Sequence, residues 1–522
     1  MLQIRFWPFP ILLIASLATV AGAATAAEAT AASPLPAAPE AVAAEVSPSP
    51  AAPEAKNVIL MISDGAGFNA FHAASYYEHG ELGRQPYDDW PVHFGMTTYM
   101  IRSPESLEAL AAGEVVGYDP EAMWERFEYV TSGTEHTAVT DSAAAATALY
   151  TGVKTTDGRM AMDATGTPLT TIAEIAHGLG KATGTLASVQ ASHATPGAVW
   201  AHNESRQNYA EIFNSMLFES GLNVIMGAGH PDFDNNARPA EEKDFDFVGG
   251  EETWEALTGS EEVAGAAVID RLADFEALAA GDLPAGLDAL PERVVGIPRV
   301  RTTIQYRRDG SDMHPADPFN EGVPSLVTMT RAALAVLDQN PEGYFVMIEG
   351  GAVDWANHDS NLPRMIEEQV DFNQSVAAVV EWVEAHSSWD ETLVIVTSDH
   401  ECGMLWGPGT FTDVSGDGRF DPETDAFHGH QPIENRGRGV VPGGQYASGG
   451  HTNALVPLWA KGPGAERFAA HVRGVDAKAG EFWGFSGAYV DITDVFHVMH
   501  AAIGAPAAAL ADTTSPATPA TP

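Results

Sequence analysis

Short, β-branched apolar runs recur along this chain, and what separates and follows them constrains its fold more than any other feature. Residues 58–62, 185–189, 223–226, 344–348, 393–397 and 455–460 have the length and composition of strands buried on both faces. Between them, residues 169–179, 325–338 and 365–385 carry apolar side chains at helical spacing. The alternation predicts an α/β fold with a mostly parallel central sheet flanked by helices. A stretch from about 229 to 324, with acidic runs such as 241–246, interrupts the rhythm and is expected to be an insertion on the main domain.

The ends of the runs carry the chemistry. The first leads into Ser63-Asp64-Gly65 and the second is followed by His193-Ala194-Thr195; later runs deliver Glu349 and the pair Asp399-His400. Ligands of open α/β sheets bind outside the carboxyl ends of the strands. Asp, Glu and His are therefore expected to meet at one edge, as a metal site requires. A single Asp after a strand is more often a turn or cap residue; the repetition makes the case. Asp354 and His358 are one helical turn apart, so both side chains leave the same face. His451, after Ser448-Gly449-Gly450, lies on a flexible loop that could complete such a site. Ser142 opens an alanine-rich run, a strong helix former, and is placed at or near a helix N-terminus. An anion there meets free backbone N–H groups. The plainer reading is that Ser142 or Asp141 caps the helix.

Acidic residues number 71 against 26 basic, for a formal net charge of −45. That balance repels phosphate backbones and anionic lipid, and argues against nucleic-acid or membrane-surface binding. Cys402 is the only cysteine, so neither an internal disulfide nor a thiolate-rich zinc site can form. It reads as a buried small hydrophobe rather than a ligand. Residues 1–23 have the pattern of a secretory signal peptide, with an uncleaved anchor as the rival reading. Residues 24–56 read as a disordered Ala/Pro-rich linker, 57–504 as the catalytic domain and 505–522 as a disordered tail. The mature product is expected to be exported, periplasmic or extracellular, with no membrane attachment after signal cleavage.

The run Thr140-Asp141-Ser142-Ala143-Ala144-Ala145-Ala146-Thr147 resembles the nucleophile signature of the alkaline phosphatases, and the similarity extends over the folded part of the chain. The resemblance implies that Ser142 is a nucleophile that becomes phosphorylated and that Arg206 grips the phosphate. It implies one zinc held by Asp354, His358 and His451, and a second by Asp64, Asp399 and His400. A magnesium ion would lie at Asp64, Thr195 and Glu349. His193 and Trp355 stand at positions that vary within the family, and His193 is expected to reach the third metal only through water. Small phosphate monoesters as substrates, a homodimer and a crown-like role for the 229–324 segment are implied in the same way. The residue types fit independently of the family: His with carboxylate suits catalytic zinc, and an oxygen-rich set suits magnesium. The rivals are a phosphodiesterase or sulfatase of the same superfamily, which generally use threonine or a modified cysteine, and a non-catalytic metal- or phosphate-binding protein.

A separate stretch, 413–424, resembles a calcium loop of EF-hand type. Asp413, Ser415, Asp417 and Asp421 stand at its first, third, fifth and ninth places, and Gly418 at the sixth. Thr424 occupies the place of the usual glutamate, and an acidic surface turn is an equally good reading.

Overall fold

Along the strand Asn57–Ser63 every residue is buried, because alternate side chains leave opposite faces of a sheet that is covered on both. Val58, Leu60 and Ile62 enter one apolar cluster, with the helices Ser142–Thr151, Ile172–Gly178 and Ile492–Ala502. Ile59 and Met61 enter another, with Phe68–His79, Leu326–Leu337 and Leu362–His386. This computed structural model describes residues 55–259, 263–416, 420–421 and 423–505. The expected signal peptide, nearly all of the linker and the tail beyond residue 505 lie outside the described residues. No helix among the described residues is long and apolar enough to cross a membrane.

The main sheet has 11 strands. Its centre is formed by Thr392–Thr397, Asn57–Ser63, Tyr344–Gly350, Ala182–Gln190 and Val224–Ala228, all mutually parallel. Every run read as a strand in the sequence forms one, but Val456–Lys461 is antiparallel to both of its neighbours. Val92–Thr97 and Ala488–Asp491 extend that side, and neither has an apolar run long enough to be noticed in the sequence.

The 229–324 segment is less separate than its sequence suggested. Its short strands Val294–Gly296 and Ala267–Ile269 continue the sheet in parallel beyond Val224–Ala228. Runs of that length have no legible period, which is why the segment read as an interruption.

Register brings the functional ends together. Ile62 lies opposite both Glu349 and Thr397, and Ala187 lies opposite Glu349. Parallel strands in step finish at one edge, so Asp64, Glu349, Asp399 and the 193–195 turn share it.

Candidate active site

Ser142 is the first residue of its helix. Asp141 caps it, accepting from the backbone N–H groups of Ala143 at 3.2 Å and Ala144 at 3.0 Å. Asp141 is therefore the cap, and Ser142 opens the helix beside it. Asp141 does more than cap: its carboxylate pairs with Arg206 Nη1 at 2.9 Å. On its other side the guanidinium donates from Nη2 to His193 Nε2 at 3.1 Å. Burial and the Arg206 charge hold the His193 pKa down to about 3, so its imidazole is neutral and can accept that bond. Trp355 meets the His193 ring edge-on, with centroids 5.9 Å apart. Nothing local in the sequence marks the Asp141–Arg206 pair, whose members are 65 residues apart.

Three clusters of ligating atoms, each within 4.8 Å, lie at this edge: Asp354 with His358, Cys402 and His451; Asp64 with Asp354 and His400; and Asp64 with His193 and Glu349. In the first, His358 Nδ1 donates to the Gly449 carbonyl at 2.8 Å and His451 Nδ1 to the Thr140 carbonyl at 2.7 Å. Those bonds leave both Nε2 atoms aimed inward, 3.0 Å apart. Two imidazole lone pairs so close require a cation between them, a proton or a metal. Asp354 lies 3.3 Å from His358 Nε2 and 3.4 Å from His451 Nε2. Although burial works against its charge, the two histidines outweigh burial and hold its pKa well below the usual carboxylate range. The hydrogen bond to Asp354 correspondingly lifts His358 to about 9.

The other clusters are short of positive charge. Asp64, Glu349, Asp399 and His400 are all fully buried. Both oxygens of Asp64 and of Glu349, and Thr195 Oγ1, have no hydrogen-bond donor among the described residues. Burial, reinforced by the neighbouring carboxylates, raises Asp64 well above the carboxylate range and Glu349 to about 8. Asp399 rises to about 6, again chiefly through burial. Native proteins rarely leave buried acceptors unmatched, and divalent cations are the groups that reconcile such a set. His400 Nε2 is 3.2 Å from Asp399, 3.5 Å from Asp64 and 3.2 Å from Ser142 Oγ, which ties the serine to this cluster.

The structure thus brings Asp64, His193, Thr195, Arg206, Glu349, Asp354, Trp355, His358, Asp399, His400 and His451 to one sheet edge around Ser142. His193 sits nearer Asp64 and Glu349 than water-mediated contact assumed, within direct reach of a cation there. Cys402 is buried, as expected, but against the first cluster; burial and Asp354 keep its thiol protonated. Asp417 of the possible calcium loop lies outside the described residues. Asp413 there accepts from the Ser415 hydroxyl and the Gly416 N–H, as an acidic turn does.

The family model for alkaline phosphatase matches residues 55–425. Alkaline phosphatase 3 of Bacillus subtilis is 27% identical over 67% of this chain and 61% of its own length. Alkaline phosphatase 4 of the same organism is 34% identical over 51% of this chain and 50% of its own. The chain therefore spans only half to three-fifths of the length of these two relatives. Among solved structures, the alkaline phosphatase of the Antarctic bacterium TAB5 superposes with a TM-score of 0.54 at 22% identity, covering 87% of this chain and 99% of that one. A cold-active enzyme from a Shewanella species gives 0.57 at 21% identity, covering 86% and 99%. At such identities the two structures speak for the fold.

Proposed function

Because the chain belongs to the alkaline phosphatase family, we propose that it hydrolyses phosphate monoesters with Ser142 as nucleophile and a phosphoserine on the pathway. The observation that carries this reading is the position of Ser142: it heads a helix and touches His400 inside a cluster of unmatched buried carboxylates. One zinc would be held by Asp354, His358 and His451, a second by Asp64, Asp399 and His400, and magnesium by Asp64, Thr195, Glu349 and His193. When bound, such ions supply Lewis-acid stabilisation for the attacking and leaving oxygens of an in-line displacement.

The protein's own groups do the rest. Asp141 and His193 each take one donor of the Arg206 guanidinium and fix its plane, leaving its other N–H groups for phosphate oxygens. The N-terminal backbone N–H groups of the Ser142 helix add their dipole to that anion site. Ser142 Oγ gives up its proton to solvent and bonds to phosphorus as the P–O bond to the ester oxygen breaks, and the departing oxygen takes a proton from solvent. Water then cleaves the phosphoserine, releasing phosphate and restoring the hydroxyl. His358, with a side chain 39% exposed, lies at the solvent side, while Asp64, Asp399 and His400 form the closed floor. Export through removal of residues 1–23 belongs to the same proposal and rests on the sequence pattern.

Acid quenching during turnover of an aryl phosphate should trap phosphate on the peptide containing Ser142. Ser142→Ala should lose at least about 10²-fold in turnover while keeping its metals. Label on another residue, or wild-type turnover in Ser142→Ala, would defeat the mechanism. A faster rate on a diester than on a monoester of the same leaving group would move the substrate class.

A further inference from the structure

Away from the sheet edge, the helix Leu362–His386, Tyr77 of the helix Phe68–His79 and the 305–325 segment enclose a cavity of about 360 Å³. Its acidic side chains are matched unequally. Glu367 accepts from Arg308 Nη1 at 2.6 Å and Nη2 at 3.0 Å, from Arg364 Nη1 at 3.0 Å and from the His314 N–H at 2.6 Å. Arg364 also pairs with Asp317 at 3.0 Å, and Asp371 accepts from the Leu326 N–H at 3.0 Å. Glu368 is different. It lines the cavity at 4% exposure, and its Oε1 has no hydrogen-bond partner among the described residues. Burial, with the charges of Glu367 and Asp371 beside it, drives its pKa well above the carboxylate range. A buried carboxyl with an unmatched oxygen, on a side chain that lines a cavity, is a site missing its partner.

We propose that this cavity binds a small aliphatic ammonium ion, with Glu368 receiving the charged head. The walls decide against a metal. Tyr77, Met313, Phe319, Val323 and Val370 present apolar surface. Calcium takes about six to eight oxygens, and magnesium a full octahedron. Among the described residues, every group of three close ligating side chains belongs to the active centre and none to this cavity. Beside those apolar side chains, Gln305, Asn320, Ser325 and Gln374 add neutral polar groups, and a carboxyl with an unmatched oxygen suits an ammonium head on a short hydrocarbon stem. The volume, near the small end of ligand cavities, has ample room for such a stem. Arginines cannot give up their charge, so Arg308 and Arg364 stay with Glu367 and Asp317, and Glu368 remains for the ligand.

The test is calorimetric titration of the full metal-loaded chain with n-butylammonium chloride, in parallel with 1-butanol and calcium chloride. Saturable binding of butylammonium is expected, with 1-butanol at least about tenfold weaker. Glu368→Gln keeps the side-chain shape and cannot ionise to meet a cation, so it should fold; its affinity for butylammonium should fall at least about tenfold. Saturating the active centre with inorganic phosphate should leave butylammonium binding unchanged, which separates this site from the phosphatase reading. Equal affinity in Glu368→Gln, competition by phosphate, calcium binding that depends on Glu368, or no saturable heat would each overturn the proposal.

Discussion

At the carboxyl edge of the sheet, Asp64, Glu349 and Asp399 are buried with imidazoles as their nearest bases; along Leu362–His386, Glu367 is buried between two guanidiniums. A guanidinium is charged at any accessible pH, so the second arrangement is closed and permanent. An imidazole can be neutral and offer a lone pair, so the first arrangement accepts a cation from outside and can release it. The pKa directions agree with this division. Asp64, Glu349 and Asp399 are all raised, each chiefly by burial. Where the fold supplies the countercharge, a buried acid is part of the scaffold; where it withholds it, the acid is available for chemistry.

The sharpest way to break the contrast is to remove one acid from each region. Asp64 belongs to two of the three ligand clusters, so Asp64→Ala should reduce kcat/KM by at least about 10³-fold. After chelation the same variant should be no less stable than wild type, because it relieves repulsion at a buried carboxylate with no hydrogen-bond donor. Aryl phosphate kinetics and denaturant melts of chelated protein measure both. A large loss of chelated-state stability would mean that Asp64 is matched within the fold. Glu367→Ala should behave in reverse, destabilising by about 3–5 kcal/mol because Arg308 and Arg364 lose their shared partner. Its kcat/KM per folded molecule should stay near wild type.

The sequence separated these regions unevenly, for physical reasons. Strand ends are marked by a change from apolar runs to Asp, Glu or His, and register in a parallel sheet then gathers them without further information; Asp64, Glu349 and Asp399 were legible on that ground. His358 followed from helical spacing with Asp354. His193 stood out only by following a strand run, while Arg206 gave no periodic signal of its own and entered through family resemblance. The Asp141–Arg206 pair and the Glu367–Arg308 pair join residues 65 and 59 apart, and nothing local encodes them. Strands of three residues in the 229–324 segment were likewise too short to show a period.

A smaller effect tests whether the charges that position Arg206 act on binding rather than on the chemical step. Asparagine remains a good N-cap, so Asp141→Asn should keep the Ser142 helix while weakening the hold on the guanidinium. The expected result is a KM, and a Ki for inorganic phosphate, raised about tenfold, with kcat changed less. A fall in kcat with KM unchanged would place Asp141 in the chemistry itself.

The smallest effect concerns pH and the arginine-flanked region. Asp371 is lifted from its ordinary 3.8 to about 6, first by burial and then by Glu367, while the backbone N–H groups of Leu326 and Val327 oppose the rise. A carboxyl whose folded pKa is raised holds its proton longer in the native state than in the unfolded chain. Its contribution is therefore fully present below pH 3.8 and is lost as pH rises through about 6. Asp371→Asn keeps an acceptor for the Leu326 N–H and has nothing to titrate. The stability difference between variant and wild type should thus shift in favour of the variant across that window and be flat on either side. Because the side chain is partly open to solvent, the shift is on the order of 1 kcal/mol rather than the full value of a buried acid. Urea melts of both proteins from acid to neutral pH measure it. A flat difference throughout would mean that Asp371 is fully matched by the N-terminus of Leu326–Leu337. Among the described acids lining the cavity, the contrast with the active centre would then narrow to Glu368.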